Sequence, residues 1–272
     1  MLSTMLSALM LLGWVAPMAA LERGTVLVTG ASRGIGAACA KRLAKDGYIV
    51  AVNYCSNADG AARVVKEIAE DGGSAEAFQA DVSTEQAVVD LFNAIDASPL
   101  PPLTGLVNNA GIIGFDLPQT LETASTEALT ALMNTNVLGP MICCREAAKR
   151  MASGSAIVNL SSGSAYLGRP LLYSMSKGAL NSMTIGLIEP LAAKGIRLNT
   201  VSPGITDTDM VSTITADSAR RTKSEADIPM GRFAKPEEIA GTVSYLMSPD
   251  ASFTHGANIR VAGGRGPGTT LG

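Results

Sequence analysis

The chain has 272 residues, of which 47% are hydrophobic and 17% are charged, and its formal net charge is −3 at pH 7. That length suits one sizeable domain with a buried core, and the weak acidic balance argues against nucleic acid as the main partner. The single histidine and the four cysteines, which show no zinc-ligand spacing, argue against a metal site and a Ser-His-Asp triad.

The first 21 residues, Met1 to Leu21, carry no charged side chain and are mostly apolar. Such a segment is almost long enough to span a bilayer, but it opens without Lys or Arg and lacks a clean A-x-A cleavage pattern. Three interpretations stay open: an extension ahead of a start at Met18, a membrane anchor and a cleaved signal. We expect a cytoplasmic domain over residues 23–272, with membrane contact only if residues 1–22 are retained.

From Thr25 onward, apolar segments of strand length alternate with helical patterns. Fully apolar strands of this kind are typical of a parallel sheet with helices on both faces. The predicted strands are Thr25–Thr29, Tyr48–Asn53, Ala75–Gln79, Leu103–Val107, Ala156–Leu160, Ile196–Val201 and Asn258–Val261. The predicted helices are one ending near Asp46, Asn57–Asp71, Thr84–Asp96, a long one ending near Met151, Tyr173–Lys194 and one beginning at Lys235–Glu237. The pattern predicts a single α/β domain.

A glycine-rich turn, Thr29-Gly-Ala-Ser-Arg-Gly-Ile-Gly36, joins the first strand to the first helix. Glycines allow a tight turn and let backbone N–H groups approach a pyrophosphate, while the helix N-terminus attracts negative charge. The spacing is G-x-x-x-G-x-G rather than the commoner G-x-G-x-x-G. Because the turn directly follows an apolar strand, we predict a nucleotide-binding loop rather than an ordinary turn. Its predicted binding residues are Gly30, Ser32, Arg33, Gly34, Ile35 and Gly36.

Tyr173 and Lys177 are four residues apart in a predicted helix and therefore lie on one face. The pKa of a free tyrosine is about 10, too high for efficient proton exchange at pH 7, and a nearby ammonium favours the phenolate. The spacing suggests an acid/base pair, although the same pattern on an exposed helix is usually a solvated face. Pro190 lies near the end of the same helical pattern and is expected to interrupt it.

Five motifs occur in an order and spacing that resemble the short-chain dehydrogenase/reductase family, including its 3-oxoacyl-carrier-protein reductases. They are the glycine-rich turn, Asn108-Asn-Ala-Gly111, Ser161-Ser162, Tyr173-x-x-x-Lys177 and Pro203-Gly204. The resemblance runs from about Thr25 to Gly264. It implies a doubly wound Rossmann-type sheet of about seven strands, an NAD(P) cofactor, and a homodimer or homotetramer built on the helices that hold Asn136 and Tyr173.

The resemblance also implies catalytic roles. Tyr173 would give a proton to the carbonyl oxygen or take it back, while Lys177 would lower the pKa of Tyr173 and hydrogen-bond the nicotinamide ribose. Asn136 would hold a proton-relay water, a simple buried amide being the alternative. A serine would polarise the carbonyl. We favour Ser162 over Ser161, since the loop before Tyr173 is about two residues shorter than in the family.

The choice of cofactor depends on the end of the second strand, where an acid would bind the ribose 2′-hydroxyl and repel a 2′-phosphate. This chain has Asn53 there, which could hydrogen-bond to either cofactor, and the first acid is Asp59. Arg33 resembles the family's basic residue that pairs with the 2′-phosphate, a role suited to a guanidinium. We therefore expect NADP(H), with NAD(H) possible.

The remaining cofactor contacts come from the resemblance alone. Asp81 and Val82 would lie at the adenine, although Asp81 also fits a helix cap. Further predicted contacts are Asn109, Ala110, Gly111, Tyr173, Lys177, Pro203, Gly204, Ile205 and Thr208.

The stretch Met210–Arg232 is expected to form a substrate lid. Its mixed charges indicate either a solvated face or recognition of an acidic substrate or a carrier protein. The leading hypothesis is an NADP(H)-dependent oxidoreductase that acts on a carbonyl or a secondary alcohol, such as a 3-oxoacyl thioester, a sugar or a small ketone. The alternative is a catalytically silent NADP(H)-binding sensor or scaffold, which would not need the pair Tyr173 and Lys177.

Overall fold

Seven parallel strands form the sheet at the centre of the structure, a computed structural model that describes residues 23–114, 119–212 and 216–266. The strands are β1 (Thr25–Val28), β2 (Ile49–Tyr54), β3 (Ser74–Gln79), β4 (Leu103–Asn108), β5 (Ala156–Leu160), β6 (Arg197–Pro203) and β7 (Asn258–Val261). Their spatial order is β3-β2-β1-β4-β5-β6-β7. The order reverses between β1 and β4, and ligands of doubly wound sheets bind at the carboxyl ends of the strands at such a reversal.

Helices cover both faces of this sheet. They are α1 (Gly34–Lys45), α2 (Ala58–Glu70), α3 (Glu85–Ala97), α4 (Thr126–Met133), α5 (Gly139–Arg150), α6 (Ser164–Leu167), α7 (Leu171–Gly186), α8 (Ile188–Ala192), α9 (Ser218–Ala226) and α10 (Pro236–Met247). One buried cluster joins the sheet to α1, α2 and α10. A second cluster joins the opposite face to α3, α5 and α8. Both faces of the central strands are therefore buried, whereas the edge strands β3 and β7 stay partly exposed.

Strand β1 illustrates how the sequence produces this arrangement. Successive side chains of a strand point to opposite faces. Val26 and Val28 belong to the first cluster and Leu27 to the second, and all three are fully buried. A strand buried on both faces needs apolar residues at every position, so a continuous apolar run is its sequence signal. The seven predicted strands and the single parallel α/β domain are confirmed.

The long helix predicted to end near Met151 is interrupted around Asn136. A π-helical turn, Asn134–Leu138, separates α4 from α5. Pro140 follows this turn and has no N–H with which to bond the carbonyl of Asn136, four residues earlier. Single π turns within helices often occur at functional sites.

The single helix predicted over Tyr173–Lys194 is two helices in the structure. Helix α7 begins at Leu171 and ends at Gly186, and α8 follows from Ile188. The ring of a proline clashes with the carbonyl four residues before it. For Pro190 that residue is Gly186, so the break comes at the position where the clash arises, somewhat earlier than the sequence pattern suggested.

The predictions for residues 1–22 lie outside the described residues, as do residues 267–272. Within the described ranges, no helix has the length and apolar character needed to cross a membrane.

Candidate active site

The glycine-rich turn between β1 and α1 lies at the carboxyl end of β1. Gly30 and Gly34 have φ values of +62° and +57°, a left-handed conformation that side chains with a Cβ rarely adopt. Asn109 donates from its side chain to the carbonyls of Thr29 at 2.9 Å and Gly30 at 3.1 Å. A Cβ on Gly36 would overlap the Gly30 carbonyl and the Asn109 amide. The turn therefore requires glycine and is braced by the loop after β4.

The first turn of α1 is open to an anion. The N-cap residue is Arg33, which has no acceptor with which to cap the helix, and the first turn contains no acidic residue. Uncapped N–H groups at a helix N-terminus attract negative charge. Ser32, Gly34 and Ile35 are each partly exposed beside these groups. The turn and the helix start together fit the pyrophosphate of a dinucleotide.

The structure differs from the expected direct contact between Asn53 and a cofactor. The Asn53 side chain is 1% exposed. Its Oδ1 accepts from Gly30 N at 3.2 Å, and its Nδ2 donates to the carbonyls of Phe78 and Ala80 at 3.3 and 3.1 Å. Because each of its polar atoms already has a partner, Asn53 ties the glycine-rich turn to the ends of β2 and β3 and holds the turn in shape.

Arg33 lies at the outer end of the turn. Its guanidinium is 3.5 Å from the carboxylate of Asp209, and the two side chains are 67% and 72% exposed. Ion pairs this exposed contribute little to stability. The guanidinium is therefore available to a stronger anionic partner.

Asp81 and Val82 follow β3 at the same edge of the sheet. The carboxylate of Asp81 accepts from Ser83 N at 2.9 Å and is otherwise exposed, whereas Val82 is buried. The N-cap of α3 is Thr84, so Asp81 forms a turn before the helix rather than its cap. This geometry is compatible with the expected adenine contact.

The loop after β4 is held to the end of β1. The backbone N–H groups of Asn109 and Ala110 both donate to the hydroxyl of Thr29 at 3.0 Å. Gly111 comes next, and a Cβ built on it would lie 3.1 Å from Asn136 Oδ1 and 3.4 Å from Lys177 Nζ. The loop thus connects the glycine-rich turn to the predicted catalytic residues.

Asn136 is fully buried in the π-helical turn. Its Oδ1 accepts from Ile112 N at 2.9 Å, and its Nδ2 donates to Ile112 O at 2.9 Å and to Ser176 Oγ at 3.0 Å. Both side-chain donors are thus engaged, so the side chain has none left for a relay water. The backbone carbonyl, which Pro140 cannot bond, and the second lone pair of Oδ1 are the acceptors of Asn136 suited to that role.

Tyr173 and Lys177 lie together on α7, with Nζ 5.9 Å from the centre of the phenol ring. Lys177 is 4% exposed and donates to Leu160 O at 2.8 Å. Burial raises the pKa of Tyr173, and a hydrogen bond with Ser162 opposes that rise. Burial also lowers the pKa of Lys177 to about 8. In the free protein the pKa of Tyr173 is therefore raised by burial, and the group that opposes this rise is Ser162 rather than the expected Lys177.

The two candidate serines have different partners. The Ser161 hydroxyl is buried and donates to Lys177 O at 3.2 Å. The Ser162 hydroxyl accepts from Ser164 N at 3.0 Å and lies close enough to the phenol of Tyr173 to lower its pKa against the effect of burial. This geometry favours Ser162 as the hydroxyl that faces a substrate beside Tyr173.

Two buried residues that the sequence analysis did not single out hold the backbone of Tyr173. The side chain of Gln119 accepts from Tyr173 N at 2.9 Å and donates to Ile113 O at 2.7 Å. The hydroxyl of Ser176 donates to Tyr173 O at 2.7 Å and accepts from Asn136. Ser176 could be noticed in the sequence as the polar residue before Lys177. Nothing in the local sequence around Gln119 indicates that its side chain contacts the backbone of Tyr173.

The segment after β6 approaches the glycine-rich turn. Pro203 O accepts from Gly163 N at 2.7 Å, and Gly204 N donates to Val261 O at 2.8 Å. The methyl group of Thr208 would contact a Cβ on Gly34 at 3.3 Å. The predicted carboxamide-binding segment, with Ile205 between these residues, thus packs across the nucleotide loop.

The charges of the expected lid are largely paired with one another. Arg221 on α9 bonds to Asp207 at 3.0 Å and to Glu225 at 2.9 Å, and its guanidinium lies 5.1 Å from the ring centre of Phe233. Arg220 is 3.4 Å from Asp217. Residues 213–215 of the expected lid lie outside the described residues.

The structure brings the predicted residues to one edge of the sheet, at the carboxyl ends of β1, β4, β5 and β6. Asn53 is the exception, because its side chain faces inward. Within the described ranges, no group of three or more His, Cys, Asp and Glu residues could hold a metal ion.

Comparison with known proteins gives a consistent result. A model of the family described as "Enoyl-(Acyl carrier protein) reductase" matches residues 30–265. The uncharacterized oxidoreductase YgfF of Escherichia coli is 44% identical over 247 residues, which are 88% of this chain and 98% of that protein. The 3-oxoacyl-[acyl-carrier-protein] reductase of Synechocystis is 35% identical over 259 residues, 91% of this chain and 98% of that protein. The crystal structure of angucycline C-6 ketoreductase LanV with bound NADP has a TM-score of 0.83 and 35% identity, over 90% of this chain and 96% of that chain.

Proposed function

This chain belongs to the short-chain dehydrogenase/reductase family, and we propose that it is an NADP(H)-dependent oxidoreductase of a carbonyl or a secondary alcohol. The observation that carries the proposal is the burial of Tyr173 and Lys177 side by side on α7, next to Ser162. A sensor or scaffold that only binds the cofactor would not need a buried ammonium next to a buried phenol, and burying both has a cost in stability.

Tyr173 is proposed to donate its phenolic proton to the carbonyl oxygen during reduction and to recover it during oxidation. Ser162 donates a second hydrogen bond to the same oxygen as negative charge develops there. Bound NADPH supplies the hydride. Burial keeps Tyr173 protonated in the free protein, which is the state that reduction requires.

Lys177 and Asn136 are proposed to return the proton to Tyr173. In the free protein, Lys177 Nζ donates to Leu160 O, and its pKa of about 8 lets it exchange protons near neutral pH. The backbone carbonyl of Asn136 would hold a water on the path to solvent, since Pro140 leaves it without its helical partner. The Asn136 side chain keeps that carbonyl in place through Ile112.

The preference for NADP(H) is supported by Arg33. Its exposed guanidinium stands at the N-cap of α1, beside the glycine-rich turn. Asn53, at the end of β2, is turned inward and carries no charge that would repel a 2′-phosphate. The ketoreductase LanV, at 35% identity, was solved with bound NADP.

A neutral carbonyl compound is the substrate class we favour. The lid cation Arg221 is held by two acids and by the ring of Phe233, so it is poorly placed to recognise an acidic substrate. The similar proteins include an angucycline C-6 ketoreductase and a 3-oxoacyl reductase, both of which act on a carbonyl by their names.

A homodimer or homotetramer is the assembly we favour. The helices around Asn136 and Tyr173 expose Leu138, Met141 and Met175. Contiguous exposed apolar residues often mark an interface. Light scattering on the purified protein distinguishes such an assembly from a monomer.

The test is a panel of ketones with NADPH and NADH, run on the wild type and on Tyr173→Phe. The wild type should reduce at least one ketone with NADPH, and Tyr173→Phe should bind NADPH normally but lose turnover by about 1,000-fold or more. Turnover that survives in Tyr173→Phe would remove Tyr173 from its assigned role. NADPH binding without any turnover in the wild type would favour a sensor instead.

A further inference from the structure

We infer that Gln119 is a positioning residue, which caps the helix carrying Tyr173 from outside that helix. The inference rests on the proposed function, because it concerns where Tyr173 is held for proton transfer. Helix α7 cannot cap itself. Its N-cap residue is Pro170, whose side chain has no hydrogen-bond acceptor, and the first N–H groups of a helix have no partner within the helix.

Gln119 supplies the missing acceptors. Its Oε1 accepts from the N–H of Tyr173, the third residue of α7, at 2.9 Å. Its backbone carbonyl accepts from Leu171 N at 3.4 Å. The N–H of the third helical residue is one that a capping side chain normally takes, so a residue 54 positions earlier in the chain performs the function of an N-cap here.

The other end of the Gln119 amide extends this support to the loop after β4. Its Nε2 donates to Ile113 O at 2.7 Å, and the neighbouring Ile112 is held by Asn136 at both its N–H and its carbonyl. Asn136 also bonds to Ser176, whose hydroxyl donates to Tyr173 O. The backbone of Tyr173 is therefore held at its N–H by one carboxamide and at its carbonyl through a second.

This arrangement fixes the phenol relative to the loop that lies beside Lys177. Removing the Gln119 amide would leave the N–H of Tyr173 buried without a partner and release the start of α7. A displacement of about one ångström of a reacting group can reduce turnover by about 100-fold. The glycine-rich turn and Arg33 lie at the end of β1, away from Gln119, so most of the cofactor affinity should not depend on Gln119.

The test compares Gln119→Leu with Gln119→Glu and with the control Ile68→Val. Ile68 is buried in α2 on the opposite side of the sheet from this helix start, and the control substitution is expected to cost about 1 kcal/mol in stability. Gln119→Leu should lower kcat by about 10- to 100-fold with an unchanged KM for NADPH, and should lose hydrogen-exchange protection over residues 171–176. Ile68→Val should change neither.

The variant Gln119→Glu separates positioning from a general loss of stability. When its carboxyl is protonated, the new side chain can accept from Tyr173 N and donate to Ile113 O, as glutamine does, but an ionised carboxylate cannot donate. The kcat of this variant relative to wild type should therefore be highest at low pH and fall as the carboxyl ionises.

Two outcomes separate this inference from the proposed function. Wild-type kcat in Gln119→Leu, or an equal loss in Ile68→Val, would overturn the inference. Turnover retained in Tyr173→Phe would overturn the proposed function together with it, whereas an inactive Tyr173→Phe beside a fully active Gln119→Leu would overturn the positioning role alone.

Discussion

The burial of the Lys177 ammonium allows a quantitative prediction of how the free energy of unfolding changes with pH. Burial lowers its pKa from 10.5 to about 8. Between these values the folded state binds fewer protons than the unfolded state, so the free energy of unfolding rises with pH across this window. Below pH 8 the lysine is charged in both states, and the cost of burying the charge is present in full, at about 3 kcal/mol.

The variant Lys177→Met isolates this effect, because methionine fills a similar volume without a charge. From the two pKa values, the free energy of unfolding of the wild type should rise by about 2 kcal/mol more than that of the variant between about pH 7 and pH 9.5. Urea unfolding followed by circular dichroism, without cofactor, measures both slopes. Subtracting the variant removes the contributions of cysteine and tyrosine ionisation, which the two proteins share.

A wild-type-minus-variant difference that stays constant over that range would refute the reasoning. It would mean that water reaches Lys177 in solution, or that the Leu160 carbonyl compensates fully for desolvation. The variant also loses the hydrogen bond to Leu160 O, which shifts its absolute stability by an amount that does not change with pH. The test therefore compares how steeply the free energy of unfolding rises with pH in the two proteins.

Two further predictions follow from charged groups on either side of the sheet. Arg33→Ala should weaken NADPH binding by about 10- to 100-fold and NADH binding much less, as measured by fluorescence titration. Equal weakening of both would argue against a 2′-phosphate contact, and Asp209→Asn serves as a control that removes only the partner of Arg33. Glu146→Gln should lower stability by about 2 kcal/mol at neutral pH, because Lys149 and two arginines hold the pKa of Glu146 down at about 2. This contribution is present above the ordinary carboxyl pKa of 4.5 and is lost as pH falls toward 2. Denaturation curves that differ equally at pH 7 and at about pH 3 would contradict it.

The fold was predictable because its main signal is local. The central strands are buried on both faces, so apolar runs such as Val26–Val28 stand out without any knowledge of their neighbours. The two errors in helix length have the same physical origin. Pro140 and Pro190 each remove a backbone donor, but the interruption appears several residues earlier, where the missing donor or the ring clash acts.

The sequence indicated which residues form the site better than it indicated which atoms those residues contact. The glycine-rich turn and the pair Tyr173 and Lys177 are visible as spacings. The inward orientation of Asn53 is not, because it depends on the carbonyls at the end of β3. The contact of Gln119 with α7 was not predictable for the same reason. The proline at the start of α7 indicates only that the side chain capping this helix comes from another part of the chain.

The bonding of Asn136 bears on how mutagenesis of this site is interpreted. Substitution experiments change side chains, yet one group of Asn136 that could hold a water, the carbonyl that Pro140 cannot bond, belongs to the main chain. Its carboxamide is committed to Ile112 and Ser176. An inactive Asn136→Ala enzyme would therefore be evidence of a displaced peptide group as much as of a missing side-chain acceptor. Assigning chemistry to this residue requires a probe of the backbone atom itself, such as replacement of its amide by an ester.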